Sequence, residues 1–161
     1  MMKLIARGFL STAALLLLFF FSVNIDANAA VTVEKISESA LDELFKTKNN
    51  KLVVTFMAAW CGPCIDELPS LNKLYQKYKT QGLTLIGISI DLDGPRAMQP
   101  IIDKLQVRFP IYWYGEAAVQ KYSLFAIPMI FFVKDGQVVE KLPGRRSEKE
   151  LNKKIREFIG Q

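Results

Sequence analysis

The sequence predicts one α/β domain, a sandwich with a central mixed β-sheet between helices. Three observations point there. Residues 51–57 (KLVVTFM) and 83–90 (LTLIGISI) are short, almost wholly apolar runs, the pattern of strands buried on both faces. Helical periodicity fills the stretches between such runs, which is the alternation of a parallel sheet. Near the end, Asp135-Gly136 separates two further strand-like runs, a turn that folds them into an antiparallel hairpin. The sheet is therefore mixed, and a chain of 161 residues that is half apolar can build one such core.

Taken in order, residues 37–49 (SESALDELFKTKN) space Leu41, Leu44 and Phe45 as a helix does, with Ser37 or Ser39 able to cap it. After the first buried strand comes WCGPCIDELP at 60–69. From there Cys64, Leu68, Leu71, Tyr75 and Tyr78 fall on one helical stripe, and Pro69 inside that stripe predicts a kink near Ile65. Gly82 ends this helix and the second buried strand follows. Residues 91–95 read as a loop, 98–107 as a helix, 109–113 (FPIYW) as a short strand and 117–122 as a short helix. Pro128 opens a strand over 129–133 (MIFFV), which the hairpin joins to 137–141 (QVVEK). Residues 147–159 close the chain as an amphipathic helix with Leu151, Ile155, Phe158 and Ile159 inward.

The first thirty residues read as an address rather than as fold. Lys3 and Arg7 precede an uncharged run from Leu10 to Val23, and Ala27-Asn28-Ala29 follows as a small-x-small cleavage site. Residues 1–29 are expected to be a secretory signal peptide cut near Ala29. The alternative is an uncut helix anchoring the domain, at 32–161, to the outer face of the cytoplasmic membrane. Either way the expected location is periplasmic or otherwise extracytoplasmic. The net charge of +5 comes with no basic stripe interleaved with aromatics, so no nucleic-acid partner is expected. Lys141, Arg145, Arg146, Lys149, Lys153, Lys154 and Arg156 read as a solvated face.

The chain has two cysteines, Cys61 and Cys64, and no histidine. The missing histidine removes Ser-His-Asp and Cys-His nucleophiles and any histidine-ligated metal. One C-x-x-C supplies half of a zinc site, and a disulfide across two residues closes too short a loop to act as a staple. In an exported chain a redox couple is the reading that remains, and it needs no metal and no cofactor. Cys61 lies where a strand has ended and a helix begins, and free N–H groups with the helix dipole favour thiolate there. Its pKa is expected below the usual value of about 8.5. Pro63 suits a first helical turn. Cys64, one turn further on and on the apolar stripe, is expected to be the more buried thiol. Cys61 is then the nucleophile and Cys64 the resolving thiol.

The stretch AAWCGPC resembles the active site of thioredoxins. Pro69 falls at that family's helix-kinking proline. Ile127-Pro128 falls where the family carries a cis-proline facing the cysteines, although sequence context alone makes Pro128 a strand-entry proline. KDGQVVEKLPGRRSEKEL is similar to the family's closing hairpin and helix, so the resemblance covers residues 32–160. It implies a thioredoxin-like sandwich in which Trp60, Gly62, Pro63, Ile127 and Pro128 line the substrate-binding rim. Two departures narrow it. Thr55 stands where thioredoxins bury an acid six positions before the first cysteine, and Glu67 supplies a new acid in Cys-x-x-Glu-x-Pro. With an added helix and strand between Leu92 and Trp113, this pattern resembles the exported TlpA/ResA/CcmG group. There the glutamate is associated with tuning the cysteine acidities. Read from the residues alone, the alternative for Glu67 is a first-turn acid that complements the dipole. Tyr112, Trp113 and Tyr114 read either as core or as a substrate lip.

The resemblance implies a protein-disulfide reductase. Gly-Pro between the cysteines is the dipeptide of reducing thioredoxins, and the exported group is recharged by a membrane thiol electron donor. The expected partners are disulfide-containing exported proteins, with apocytochrome c as one candidate client. No dimerisation segment is visible, so a monomer is expected. The competing readings are an exported disulfide oxidase or isomerase, and a non-catalytic binding module or metallochaperone on the same fold.

Overall fold

The computed structural model describes residues 31–47 and 51–160. The predicted signal peptide at 1–29 lies outside the described residues. The elements in chain order are β1 (Glu34–Lys35), α1 (Glu38–Lys46), β2 (Lys51–Met57), α2 (Gly62–Tyr78), β3 (Leu83–Ser89), α3 (Pro95–Lys104), β4 (Ile111–Trp113), α4 (Ala117–Lys121), β5 (Met129–Lys134), β6 (Gln137–Pro143) and α5 (Glu148–Ile159). The strands form one sheet in the order β1-β4-β3-β2-β5-β6. β2 runs parallel to β3 and antiparallel to β5, and β6 is antiparallel to β5. The sheet is mixed as the sequence predicts, and the added helix and strand between Leu92 and Trp113 are α3 and β4.

β2 and β3 are central because nothing in them needs water. All of β2 after Lys51 is buried, and Leu85, Ile86, Ile88 and Ser89 of β3 are buried with it. Burying side chains of this size stabilises the fold by about 1.5–3 kcal/mol each. Alternation along β5 divides the core between the two faces of the sheet. Phe131 packs edge-on to Phe56 with ring centroids 5.0 Å apart, in a group completed by Tyr122 beyond α4 and Phe45 of α1. Phe132 points the other way and meets Phe158 of α5 at 5.1 Å. On that side α5 lies against α2, where the Tyr78 hydroxyl donates to Asn152 at 2.8 Å.

Two differences from the sequence reading have physical causes. α3 begins at Pro95, inside the expected loop, because Gly94 at φ +78 turns the chain and a proline is well suited to the first helical position. It ends at Lys104, and left-handed Gln106 (φ 53) reverses the chain before Phe109. β1 is a strand the sequence does not announce: Glu34 and Lys35 are both exposed and pair only with Tyr112 and Trp113 of β4.

Candidate active site

Cys61 is the residue that caps α2. It leaves β2 through a tight turn in which its N–H donates to the Ala58 carbonyl at 3.1 Å. Its φ and ψ are extended, and its sulfur accepts the Cys64 N–H at 3.3 Å. The Cys61 carbonyl takes the N–H groups of Cys64 and Ile65 at 3.0 and 3.1 Å. Pro63 lies in the first turn, where its missing N–H removes no helical bond. The two cysteines are joined as a disulfide with Cα atoms 5.3 Å apart. Cys64 is the more buried, 2% exposed against 5% for Cys61.

The residues expected around the pair divide clearly. Gly62 and Pro63 are exposed beside the disulfide, and Trp60 is 69% exposed, a large apolar side chain left in water. The Ile127–Pro128 peptide bond is cis. The register of β5 on β2 pairs Met129 with Phe56, so Pro128 lies at the end of the sheet from which the cysteine turn departs. The Pro128 carbonyl accepts the Gly144 N–H at 2.7 Å, tying the β6–α5 loop to the same end. Leu92 and Phe125, 73% and 76% exposed, are the other two most exposed large apolar side chains among the described residues. Both lie on loops at this end of the sheet.

Glu67 is not the solvated first-turn acid that one reading allows. It is 1% exposed, one turn past Cys64 on the buried face of α2. Its Oε1 accepts the Arg146 backbone N–H at 2.6 Å, and its Oε2 is buried without a hydrogen-bond partner. Loss of water raises its pKa to about 7, against the smaller opposing pull of the Arg146 N–H and the Arg145 and Arg146 charges. Thr55 is buried within β2, and the position carries no acid.

Sequence reasoning missed Asp91 and Ser89, 2% and 0% exposed at the end of β3. Asp91 accepts the N–H of Ala59, two residues before Cys61, at 2.9 and 3.1 Å. The one signal available was a Ser-x-Asp ending an otherwise apolar strand. Trp113 is half-buried, and its indole N–H donates to the Asp91 carbonyl at 2.6 Å. The basic face is mostly exposed, as expected for a solvated surface; within it Lys154 pairs with Glu140 at 2.5 Å, and Lys141 stands 4.4 Å over the Phe131 ring.

Chemically, this arrangement offers a dithiol–disulfide pair at a helix N-terminus beside a buried acid. Among the described residues no cluster of three or more cysteine and carboxylate groups is placed to hold a metal ion. Among them, also, no helix is long and apolar enough to cross a membrane.

The chain is similar to several known proteins. The thiol-disulfide oxidoreductase ResA of Bacillus cereus is 32% identical over 111 residues, covering 68% of this chain and 64% of that protein. The chain thus spans slightly less than two thirds of that relative's length. The thioredoxin domain of a thiol-disulfide oxidoreductase from Bacteroides vulgatus superposes with a TM-score of 0.61 at 25% identity, covering 73% of this chain and 83% of that one. StoA from Bacillus subtilis shares the fold, with a TM-score of 0.59 at 21% identity over 66% of this chain and 83% of that one. The fold is thioredoxin-like. The AhpC/TSA family profile matches residues 25–142, more than half of the sequence. The chain belongs to the AhpC/TSA family.

Proposed function

We propose that this protein is an extracytoplasmic thiol-disulfide oxidoreductase that reduces disulfides in exported client proteins. The observation that carries the exchange chemistry, as distinct from its direction, is the Cys61 sulfur at the cap of α2, accepting the Cys64 N–H at 3.3 Å. A thiolate in that place gains a fixed donor and the positive end of the helix dipole. In the forward cycle the Cys61 thiolate attacks one sulfur of a client disulfide. A mixed disulfide forms, and the other client sulfur leaves as a thiolate that takes a proton. The Cys64 thiol then gives up its proton and attacks the Cys61 sulfur, releasing the second client thiol and closing the Cys61–Cys64 disulfide. The client gains two electrons and two protons. A membrane thiol donor returns them to the protein by the same exchange in reverse. The exposed Trp60, with Gly62, Pro63, Ile127 and Pro128, forms the rim on which the client lies.

Glu67 supports the reducing direction. A buried acid one helical turn from Cys64 opposes a second negative charge nearby, so its anion disfavours thiolate. Strong oxidants such as DsbA owe their potential to a stabilised reduced form. A site that stabilises its thiolate less holds its disulfide more firmly and is the better reductant. The relatives named thiol-disulfide oxidoreductase support the reaction class. A protein described as a secreted disulfide oxidoreductase of Mycobacterium tuberculosis shares the fold at a TM-score of 0.60 and 20% identity. It fits the extracytoplasmic location that the leader predicts. Apocytochrome c is one client class whose cysteines need this service.

Two measurements test the reading. The equilibrium of Cys61–Cys64 with glutathione should place the pair well on the reducing side. A potential near the value of DsbA, about −120 mV, overturns the reductant assignment in favour of an oxidase. Cys64→Ser should accumulate a mixed disulfide on Cys61 with exported proteins, whereas Cys61→Ser should capture none.

A further inference from the structure

Ser89 and Asp91 form a buried polar pair that the exchange chemistry above does not use. Asp91 accepts the Ala59 N–H with both carboxylate oxygens, at 2.9 and 3.1 Å, and the Ser89 hydroxyl with Oδ2 at 2.7 Å. The Asp91 N–H in turn donates to the Ser89 oxygen at 3.3 Å. The pair is held from the other side by β4 and the chain just after it. The Trp113 indole N–H donates to the Asp91 carbonyl at 2.6 Å, and the N–H groups of Tyr114 and Gly115 donate to the Ser89 carbonyl at 3.1 Å. The carboxylate has two donors, the Ala59 N–H shared between its oxygens and the Ser89 hydroxyl on Oδ2, and together they fix its orientation.

What it holds is the turn that presents the disulfide. Ala59 is the second residue of that turn, Trp60 the third, and Cys61 closes it onto the Ala58 carbonyl. The Ala59 N–H needs an acceptor, but a serine, an asparagine or a backbone carbonyl would serve with far less desolvation than a buried acid. An ionised acceptor makes the stronger hydrogen bond, and it adds a fixed anion within one tight turn of the Cys61 sulfur. Asp91 and Cys61 are 2% and 5% exposed, and between groups so little reached by water that field opposes a thiolate on Cys61. The helix N-terminus and Asp91 therefore act on the same sulfur with opposite signs.

We propose that Asp91 is a positioning residue for the exchange reaction, pinning the Ala58–Cys61 turn and, through its charge, holding the Cys61–Cys64 pair toward the disulfide so that the dithiol is a strong reductant. This rests on the oxidoreductase reading given above. Asp91→Asn keeps an amide oxygen for the Ala59 N–H and removes the charge. Asp91→Ala removes both.

Each variant, as the full chain, is equilibrated with glutathione redox buffers. Each is then assayed on a peptide disulfide and on bis(2-hydroxyethyl) disulfide, a small substrate that needs no rim. Asp91→Asn should shift the equilibrium toward the dithiol at least tenfold, about 30 mV for a two-electron couple, while its KM for the peptide stays near that of the parent. Asp91→Ala should show the same shift together with at least a tenfold rise in peptide KM, and little change on the small disulfide. A parental equilibrium constant in Asp91→Asn overturns the proposal and leaves Asp91 a residue that only holds the fold. The glutathione equilibrium is readable whether or not the protein reduces any client. Failure of the parent on both substrates therefore counts against the oxidoreductase reading, and failure of the Asp91→Asn shift counts against this one.

Discussion

Glu67 is an acid whose protonation the fold has to accommodate. Its ordinary pKa of 4.5 becomes about 7 in the folded chain because burial removes its water. A carboxyl group with a raised pKa contributes its stability fully below pH 4.5 and loses it as pH rises through 7. At 1.36 kcal/mol per unit, the loss across that window is of order 3 kcal/mol. Glu67→Gln is neutral at every pH and keeps an oxygen for the Arg146 N–H. Denaturant unfolding should therefore show the parent losing stability between pH 4.5 and about pH 7, with the glutamine variant nearly flat and the more stable of the two at the alkaline end. Equal slopes would mean that Glu67 reaches water. How far such residues can be read from sequence depends on where their partners lie. Glu67 was visible from its spacing to Cys64, but not its burial, because the Arg146 N–H that receives it is 79 residues away. Asp91 was invisible for the same reason: its contact with Ala59 spans 32 residues and goes to a backbone group, which leaves no mark on residue choice.

Among elements, β3 shows how tightly the site's foundation is packed. Gly87 pairs with Thr55 on one side and Ile111 on the other. A Cβ there would lie 2.5 Å from the Met57 Cε and 2.6 Å from the Ile111 Cδ1. Both atoms are tips of flexible side chains, so Gly87→Ala should fold but cost about 1–3 kcal/mol of overpacking, read as a lower denaturation midpoint with an unchanged slope. A neutral result would show that the two tips move aside freely. The long elements were legible because their signals are local. The limits of β2 are those of its apolar run, and α5 is capped by Ser147, whose hydroxyl and the Glu150 carboxylate form a reciprocal cap. The short ones were not. β1 is two exposed residues whose only reason to be a strand is the edge of β4, and α3 was displaced because its start is set by Gly94 and Pro95 rather than by its apolar stripe.

For the molecule as a whole, the alternation of runs foretold a mixed sheet, but the strand order β1-β4-β3-β2-β5-β6 follows from how the crossovers fold back. That order puts the ends of β2 and β3 and the start of β5 side by side, which is what gathers Cys61, Asp91 and Pro128 at one end. Fold and redox state are linked here. If the protein is a reductant, the fold favours the disulfide, and by the same cycle the disulfide favours the fold. The oxidised chain should then unfold at a higher denaturant concentration than the reduced chain, and the reverse order would be that of a DsbA-like oxidant. The cap of α2 carries this link into solution behaviour. The Cys61 sulfur accepts the Cys64 N–H, which the Cys61 carbonyl shares, so under the proposed exchange each turnover replaces this cap with one of different charge and reach. Hydrogen exchange at the Cys64 and Ile65 amides should report the oxidation state directly, making the first turn of α2 a built-in gauge that needs no added label.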